Sequence, residues 1–523
     1  MTHRQIMEAL SGLLLGLFVA ILSSTVVSNA LPRIISDLDG GQSAYTWVVT
    51  STLLATTVST PIWGKLADLT SKKLLVQLSL LIFIVGSAAA GLSQNTGTLI
   101  AFRVVQGLGA GGLTALAQVI LASIIPPRER GRYNGYLGAV MAVGTIGGPL
   151  LGGVIVDTSW LGWRWCFYVG VPFAVAALIV LQRTLRLPLI TRDVKVDYLG
   201  ATLVAASVSL LLIWVSLAGD SFAWWSGPTV AMVLGALALA VVFVFVELRA
   251  TEPIIPMHFF RNPTLTLSVV ASLAVGTAMF GGTVFLSQYF QIARGDSPTM
   301  AGVMTLPMII GLVVSSTVIG RVITKSGKWK RYLVVGGILL IVGLALMGTV
   351  RADTEYGLLG AYMFLIGCGV GMTMQNLVLA VQNTVPLHEL GAASSVVAFF
   401  RTLGGAVGVS ALGAVLASKV GTYTASGIAE LGIQASGDGS LPDIHTLPAP
   451  LAAVVEDAYG HATGDIFLIA APIALVALIA IVFLREIPLR TAVDDTAGGG
   501  DNPAVPEDDN TPGREGAEAG AVR

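Results

Sequence analysis

The chain contains a succession of long apolar segments, and no other feature limits its possible folds as strongly. A helix that crosses a bilayer needs about 20 mostly apolar residues, because its backbone groups find no water inside the membrane and must bond within the helix. Fourteen segments fit this requirement, which predicts an all-α integral membrane protein with 14 transmembrane helices. They begin near Met7, Tyr45, Leu74, Thr98, Tyr133, Trp165, Tyr198, Gly227, Thr264, Met300, Tyr332, Tyr356, Ala392 and Asp465.

The composition excludes the common soluble classes. Hydrophobic residues make up 54% of the 523 residues and charged residues 11%, whereas soluble domains contain about 25% charged residues. A net charge of −1 gives no general attraction for nucleic acid, so none is expected as a partner. The two cysteines, Cys166 and Cys368, lie in separate apolar segments and predict neither a disulfide nor a metal site. We also expect no cofactor.

A membrane enzyme or a non-transporting receptor is the alternative of a different class. An enzyme should cluster His, Asp or Cys residues at one membrane face. The five histidines are instead dispersed along the chain: His3, His258, His388, His445 and His461. The sequence therefore favours a protein that is not an enzyme.

The basic residues predict how the chain lies in the membrane, because cytoplasmic loops are enriched in Lys and Arg. With the N-terminus inside, the inner loops contain basic clusters at residues 72–73 and 128–132, whereas the outer loops contain only scattered basic residues. We therefore expect both termini to be cytoplasmic, in a multi-pass protein of the cell (plasma) membrane. Residues 419–464 are then a long external loop, and residues 491–523, rich in Gly, Asp, Glu and Pro, a disordered cytoplasmic tail.

An internal repeat relates the two ends of the chain, as in many membrane proteins built from duplicated halves. Displacing the sequence by 260 residues places Gly107, Gly109, Gly111, Pro126, Glu129, Gly131, Gly144, Gly148 and Gly153 on Gly367, Gly369, Gly371, Pro386, Glu389, Gly391, Gly404, Gly408 and Gly413. The displacement is longer than six helices need, which predicts two inserted helices. The predicted parts are a six-helix bundle at 1–190, two inserted helices at 191–262 and a second six-helix bundle at 263–490.

The loop between helices 2 and 3 carries the first recognisable motif, Gly-Lys-Leu-Ala-Asp-Leu-Thr-Ser-Lys-Lys from Gly64 to Lys73. It resembles the GxLaDrxGrkxxl loop signature of the major facilitator superfamily, with Thr70 and Ser71 at the usual basic and glycine positions. We expect Asp68 and Lys65 to take part in a charge cluster that closes the inner face and opens when the two halves rock apart. The alternative is an ordinary helix end with cytoplasmic lysines.

Helix 4 carries Arg103, followed by Gln106 and three spaced glycines, which resembles the RxxQGxGxG signature of the same superfamily. A permanent cation inside a span costs at least ~2.5 kcal/mol and usually faces a cavity or a pathway. Arg103 is therefore the strongest single functional candidate. In the alternative, its side chain extends to the outer membrane interface, about 8 Å away, and has no role in a pathway.

Helix 5 contains a row of small or rigid residues: Gly144, Gly148, Pro149, Gly152 and Gly153. The row is similar to the gxxxGPxxGG antiporter signature of exporters in the superfamily. Such residues give a smooth, slightly bent face for close packing, so the export function comes from the resemblance alone. Residues 163–172, beginning Trp-Arg-Trp, are similar to the WRWxFxxNxP run of the fourteen-helix drug:proton antiporter family. Together these motifs imply the major facilitator fold and a proton-driven exporter.

Two positions depart from the family pattern. Ser23 stands where helix 1 of the family commonly has an Asp implicated in proton coupling, and Gly170 stands at the usual Asn of the Trp-Arg-Trp run. A serine does not carry a proton in this way. Carboxylates lie only near the edges of the spans: Glu8, Asp68, Asp157 and Glu247.

Asp157 is the edge carboxylate that best matches the buried cation. It lies at the outer end of helix 5, at a depth similar to that of Arg103. Opposite charges within a span are expected to pair, so we predict that Arg103 and Asp157 form the switching pair. In the alternative, Asp157 is a solvated helix end.

Polar and aromatic residues within the spans are the candidates for a substrate cavity: Gln106, Gln118, Phe280, Gln288, Gln375 and Asn376. Such a lining suits small amphipathic or weakly cationic molecules, although the same side chains serve equally as interhelical hydrogen-bond partners. We expect a monomer, in contact with membrane lipid, that exports drugs or metabolites with a proton gradient as the energy source. An exporter or flipper of lipid-like molecules with different coupling is the alternative transporter.

Overall fold

A computed structural model describes most of the chain. The described residues are 3–38, 42–158, 161–185, 197–218, 222–386, 389–430 and 448–489. The tail at 491–523, predicted to be disordered, and residues 431–447 of the predicted external loop lie outside them.

The described residues form helices in the order that the apolar segments predict. The first half comprises α1 (His3–Asp37), α2 (Gln42–Leu69), α3 (Lys72–Gly91), α4 (Thr96–Ile124), α5 (Pro127–Asp157), α6 (Trp165–Tyr168) and α7 (Gly170–Thr184). Two further helices follow, α8 (Tyr198–Leu217) and α9 (Gly227–Glu247). The second half comprises α10 (Pro263–Gln288), α11 (Pro298–Met304), α12 (Leu306–Ser326), α13 (Lys330–Met347), α14 (Tyr356–Gln382), α15 (Leu390–Glu430) and α16 (Ala449–Phe483).

Short breaks divide two of the predicted spans. Helices α6 and α7 together occupy Trp165–Thr184, and α11 with α12 occupies Thr299–Ser326. Counting each of these pairs once, 13 segments of the described chain are long and apolar enough to cross a membrane. The all-α membrane fold is therefore confirmed.

Helix α2 is the predicted span whose composition is too polar for that count, and its packing explains why. Its hydroxyl groups donate to backbone carbonyls of α4: Thr52 to Arg103 at 3.3 Å, and Thr56 to Gly107 at 3.2 Å. The indole of Trp63 donates to the carbonyl of Leu108 at 2.9 Å. Hydroxyls bonded to a neighbouring helix do not face lipid. The polar face of α2 is therefore an interhelical surface.

The two halves are bundles with equivalent internal packing. In the first bundle α4 packs between α2 and α3, and in the second α14 packs between α12 and α13. A Cβ at Gly109 would lie 2.5 Å from the backbone nitrogen of Phe83 in α3, and one at its repeat partner Gly369 would lie 2.7 Å from that of Leu340 in α13. Matched glycines thus permit the same close helix approach in both bundles.

The two extra helices form a hairpin at the edge of the molecule. Helices α8 and α9 pack on each other, and α8 also packs on α2 of the first bundle and α15 of the second. Apolar residues of α8 share a core cluster with Val58 of α2 and Val396 of α15. The hairpin therefore lies along the seam between the bundles.

The last two helices are longer than a membrane requires. Helix α15 has 41 residues, about 60 Å at 1.5 Å per residue, against about 30 Å of hydrocarbon. The predicted loop at 419–464 differs accordingly, since 419–430 and 449–464 are helical. Lys419 pairs with Asp465 at 3.1 Å, and the Tyr423 hydroxyl donates to the same carboxylate at 2.7 Å. These contacts join the two helical extensions.

Candidate functional site

The two bundles meet closely at one end of the molecule, the end that carries Lys72, Lys73 and Arg130, which we call the basic face. Here α2 of the first bundle crosses α15 of the second at two glycines. A Cβ at Gly391 would lie 2.5 Å from the carbonyl oxygen of Gly64, and a Cβ at Gly64 would collide with Ser395. Only glycine allows the two helices to approach this closely, so the bundles are closed against each other at the basic face.

Asp68 of the loop signature secures this crossing. Its two carboxylate oxygens accept hydrogen bonds from the backbone nitrogens of Gly391, at 2.9 Å, and Ala392, at 2.8 Å. N–H groups in the first turn of a helix have no partner within the helix, and the helix dipole also favours a negative charge there. A carboxylate from one bundle thus caps a helix of the other.

Lys65, one turn before Asp68, makes a second link at the same face. Its ammonium group lies 2.6 Å from a carboxylate oxygen of Glu252, and its side chain is 9% exposed. Glu252 belongs to residues 248–262, the strap that leads from α9 to α10. Further along the strap, Nε2 of His258 lies 3.1 Å from Glu389, the residue before α15. The strap is therefore tied to both bundles.

A cavity of about 490 Å³ lies between these links. Its lining combines the ends of α2 and α9, the strap and the residue before α15. The ionisable groups that line it are Lys65, Asp68, Glu247, Glu252, His258, Arg261 and Glu389. It is a polar chamber at the basic face, distinct in character from the apolar spans.

Arg130 at the start of α5 makes a further link that the motifs did not indicate. Its guanidinium donates to the carbonyls of Ala122 at 2.6 Å and Ile125 at 2.8 Å, and to the side-chain oxygen of Gln382 in the other bundle at 3.3 Å. Gln382 in turn donates to Ser394 at 2.8 Å. Arg130 stands in the Pro-x-x-Glu-x-Gly loop of the internal repeat, and that repeat was the available signal for it.

Arg103 is fully enclosed within the first bundle. It is 2% exposed, donates from Nη1 to the side-chain oxygen of Gln106 at 2.8 Å and from Nε to the carbonyl of Val48 at 3.3 Å. The side-chain nitrogen of Gln106 in turn donates to the hydroxyl of Ser87 in α3 at 3.0 Å. The guanidinium therefore lies among α2, α3 and α4 rather than at the membrane interface.

The predicted pairing of Arg103 with Asp157 stays a prediction. Asp157 is the last residue of α5, and its side chain lies outside the described part of the structure. The side chain of Pro149, in the helix 5 motif, also lies outside the described part of the structure.

The two departures from the family pattern lie side by side. Ser23 is fully buried, and a Cβ at Gly170 would collide with its hydroxyl oxygen. That oxygen has no hydrogen-bond partner within the described residues. The position where the family commonly has a carboxylate thus faces a position that has lost its side chain. The missing side chain at Gly170 leaves room for the Ser23 hydroxyl.

The glycines of the helix 5 motif bring α5 against α1. A Cβ at Gly152 would lie 2.6 Å from the carbonyl oxygen of Val26, and one at Gly148 2.9 Å from the carbonyl carbon of Thr25. The Thr25 hydroxyl also donates to the carbonyl of Gly144 at 3.1 Å. Gly153 turns instead toward Thr299 of the second bundle. The motif therefore fixes α5 between α1 and the opposite bundle.

The residues nominated for a substrate cavity separate into distinct environments. Gln106 is bound to Arg103, Gln288 is exposed, and Phe280 packs over Gly405. Gln375 donates to the sulfur of Met141 across the bundle interface at 3.6 Å, and Asn376 donates to the carbonyl of Met372 at 2.7 Å.

Two nominated glutamines, and an arginine that was not nominated, each bury a side-chain polar atom. Gln118 Oε1, Gln375 Oε1 and Arg401 Nη1 are buried and have no hydrogen-bond partner within the described residues. Buried polar atoms in proteins are almost always bonded. Arg401 was visible in the sequence as the charge of its span, but its burial could not be predicted.

Comparison with known proteins places this geometry in a family. The family model described as Major Facilitator Superfamily matches residues 13–409. An MFS-type transporter of Mycobacterium tuberculosis is 36% identical over 95% of this chain and 72% of its own length. The multidrug transporter protein MdtP of Bacillus subtilis is 34% identical over 79% of this chain and 75% of its own. The efflux pump dotC of Dothistroma septosporum is 30% identical over 94% of this chain and 86% of its own length.

Solved structures show the same fold at low sequence identity. The proton:xylose symporter XylE matches 93% of this chain and 97% of its own, with a TM-score of 0.60 and 13% identity. The human organic anion transporter MFSD10 matches 90% of this chain and 99% of its own, with a TM-score of 0.59 and 14% identity. With the family model covering most of the spans, the predicted family is confirmed. The chain belongs to the major facilitator superfamily and is a multi-pass membrane transporter, not an enzyme.

Proposed function

We propose that this chain exports small amphipathic molecules, drugs or metabolites, from the cytoplasm across the cell membrane in exchange for protons. The basic face is cytoplasmic in this proposal, because cytoplasmic loops are enriched in Lys and Arg. The names of the relatives, a multidrug transporter and an efflux pump, support export. The helix 5 motif supports it as well.

The observation that carries the proposal is the cap that Asp68 of one bundle places on α15 of the other. A carboxylate bonded to two backbone N–H groups holds a closed arrangement firmly, yet the bonds are few enough to be broken when the bundles rock. Closure at the cytoplasmic side belongs to the state that releases cargo outside. Opening requires Asp68 to leave α15.

The substrate is recognised in this proposal by sparse polar groups in an apolar setting. The free oxygens of Gln118 and Gln375 and the free Nη1 of Arg401 offer hydrogen bonds within spans that are otherwise hydrophobic. Small-molecule sites in general combine apolar contact with a few polar groups that orient the ligand. Small amphipathic compounds fit this description.

The test is transport by the full-length protein in liposomes under an imposed pH gradient. A cationic dye, a neutral drug and a labelled lipid are compared, with protein-free liposomes as the control. We expect the dye and the drug to move only with the gradient. Movement that ignores the gradient would overturn proton exchange, and movement of the labelled lipid alone would favour the lipid-exporting alternative.

A further inference from the structure

Two carboxylates face each other at the base of the α8–α9 hairpin. Asp197 precedes α8, Glu247 ends α9, and Gly200 lies between them. A Cβ at Gly200 would collide with Oδ2 of Asp197 and lie 2.6 Å from Oε1 of Glu247. Since both oxygens approach the same point, they lie no more than about 5 Å apart. The absence of a side chain at Gly200 makes room for this approach.

Each carboxylate has one oxygen in use and one oxygen free. Oδ1 of Asp197 accepts from the backbone nitrogen of Gly200 at 2.8 Å, as a helix cap. Oε2 of Glu247 accepts from the backbone nitrogen of Ile255 in the strap at 3.3 Å. Oδ2 of Asp197 and Oε1 of Glu247 are buried and have no partner within the described residues. Glu247 is only 2% exposed.

A buried carboxylate and a half-buried one at this separation do not both remain charged at low cost. Like charges repel strongly away from water, and a buried oxygen without a hydrogen bond is itself destabilising. A single proton removes the repulsion, and a small shift that brings the two oxygens within hydrogen-bond distance lets the carboxylic acid donate to the carboxylate. The ends of the helices decide which residue carries it: Asp197 lies at the positive end of α8 and Glu247 at the negative end of α9. The proton therefore resides on Glu247.

We propose that Asp197 and Glu247 form a proton-binding site of the transporter, loaded and emptied through the polar cavity at the basic face. The proposal assigns a site to the proton exchange of the proposed function, and it rests on that function. Glu247 lines that cavity, and a rotation of its side chain carries the proton from the buried position of Oε1 to water in the cavity, without any other reactant. The other charged groups around the site are Lys65 and Asp68 of α2, Glu252, His258 and Arg261 of the strap, and Glu389 before α15.

The site is connected to the closure of the bundles through the strap. Glu247 holds the strap at Ile255, and Glu252, three residues earlier, pairs with Lys65 of α2. Loss of the proton leaves two facing anions, and their repulsion displaces Glu247 together with the strap that it holds at Ile255. The pair thus supplies a proton-dependent step in a chain whose helix 1 has Ser23 in place of a carboxylate.

Infrared spectroscopy of the purified full-length protein tests the site without reference to transport. At neutral pH we expect a carbonyl-stretching band from a protonated carboxyl group, lost in Glu247→Gln and retained in the control Glu355→Gln, whose carboxylate is exposed. Glutamine copies the shape of the protonated acid and still donates to Asp197, so the fold should be kept. Asp197→Asn should likewise shift or abolish the band. A band unchanged in both variants would overturn the site.

Transport in liposomes tests the role of the site. In Glu247→Gln we expect gradient-driven export of the dye to fall to the level without a gradient, while dye binding to the protein stays within about twofold. Full gradient-driven export in this variant would overturn the coupling role. If the unchanged protein itself ignores the gradient, the proposed function fails, and the infrared result still decides whether the proton site exists.

Discussion

Asp68 shows how one side chain can hold two halves of a molecule together. Its carboxylate belongs to α2, but both of its hydrogen bonds go to the first turn of α15, more than 300 residues later. The bonds are directed at N–H groups that no helix can satisfy internally. Because the contact is polar and not a packed apolar surface, it can be broken and re-formed in each transport cycle.

Replacing Asp68 by Asn should loosen the closed basic face. Asn keeps one acceptor oxygen but loses the charge and one of the two bonds, and a charge-assisted hydrogen bond contributes about 1.5–3 kcal/mol. We expect a thiol introduced by Ser394→Cys, a fully buried position, to react with a polar maleimide about tenfold faster or more when Asp68→Asn is added. The matched control is Asp353→Asn, at an exposed residue. Equal rates in the two backgrounds would contradict the role of Asp68 in closure.

Arg103 is expected to need its shape as well as its charge. The guanidinium reaches Val48 and Gln106 with two different nitrogens, and a lysine ammonium cannot span both positions. Arg103→Lys should therefore lower the free energy of unfolding by about 1–3 kcal/mol, measured by thermal unfolding in detergent. It should also reduce export of the dye. A lysine variant as stable and active as the unchanged protein would show that charge alone matters.

The sequence identified one member of several contacts but not its partner. Lys65 and Asp68 were nominated from the loop motif, whereas Glu252, 187 residues from Lys65, lies in no motif, and Gly391 in the first turn of α15 was indicated only by the internal repeat. Glu247 was visible as an edge carboxylate, but its opposition to Asp197 depends on how the hairpin closes around Gly200. Such pairs arise from tertiary packing, which local sequence patterns do not specify.

At the scale of elements, the helices follow closely from their caps and their apolar lengths. The predicted starts at Trp165, Tyr198, Gly227 and Tyr356 coincide with the observed ones. The largest difference is at α16, which begins at Ala449 rather than near Asp465, because its first turns carry acidic residues and extend outside the expected span. The glycines of α5 also act at the scale of elements, since they set how closely α5 packs on α1.

Gly148 and Gly147 offer a matched comparison on α5. A Cβ at Gly148 would overlap the side chain of Thr25 and approach its backbone, whereas one at Gly147 would meet only the tip of Leu22 at 3.2 Å. Gly148→Ala should therefore push α5 from α1 and lower the free energy of unfolding by about 1–3 kcal/mol, with loss of export. Gly147→Ala should be tolerated in thermal unfolding and transport. Similar losses in both variants would mean that helix propensity, not the α1–α5 contact, decides the outcome.

The whole molecule consists of two bundles closed at the basic face, with a hairpin and strap across their seam. Apart from the α2–α15 crossing, α5 of the first bundle packs on α12 of the second, where a Cβ at Gly138 would lie 3.1 Å from that of Ser316. Transport by alternating access requires these contacts to separate and return in every cycle. The central claim is therefore that closure at the basic face is temporary.

A reversible cross-link between the bundles tests this claim most directly. In the double variant Gly138→Cys, Ser316→Cys the two Cβ atoms are slightly closer than the ~3.8 Å of a disulfide, so a small helix movement allows the bond. The native Cys166 and Cys368 are buried and free, and they are also present in the two control proteins, which carry Gly138→Cys or Ser316→Cys alone. We expect oxidation to stop gradient-driven export of the dye in liposomes and a reductant to restore it. Undiminished export by the fully cross-linked protein would contradict the account.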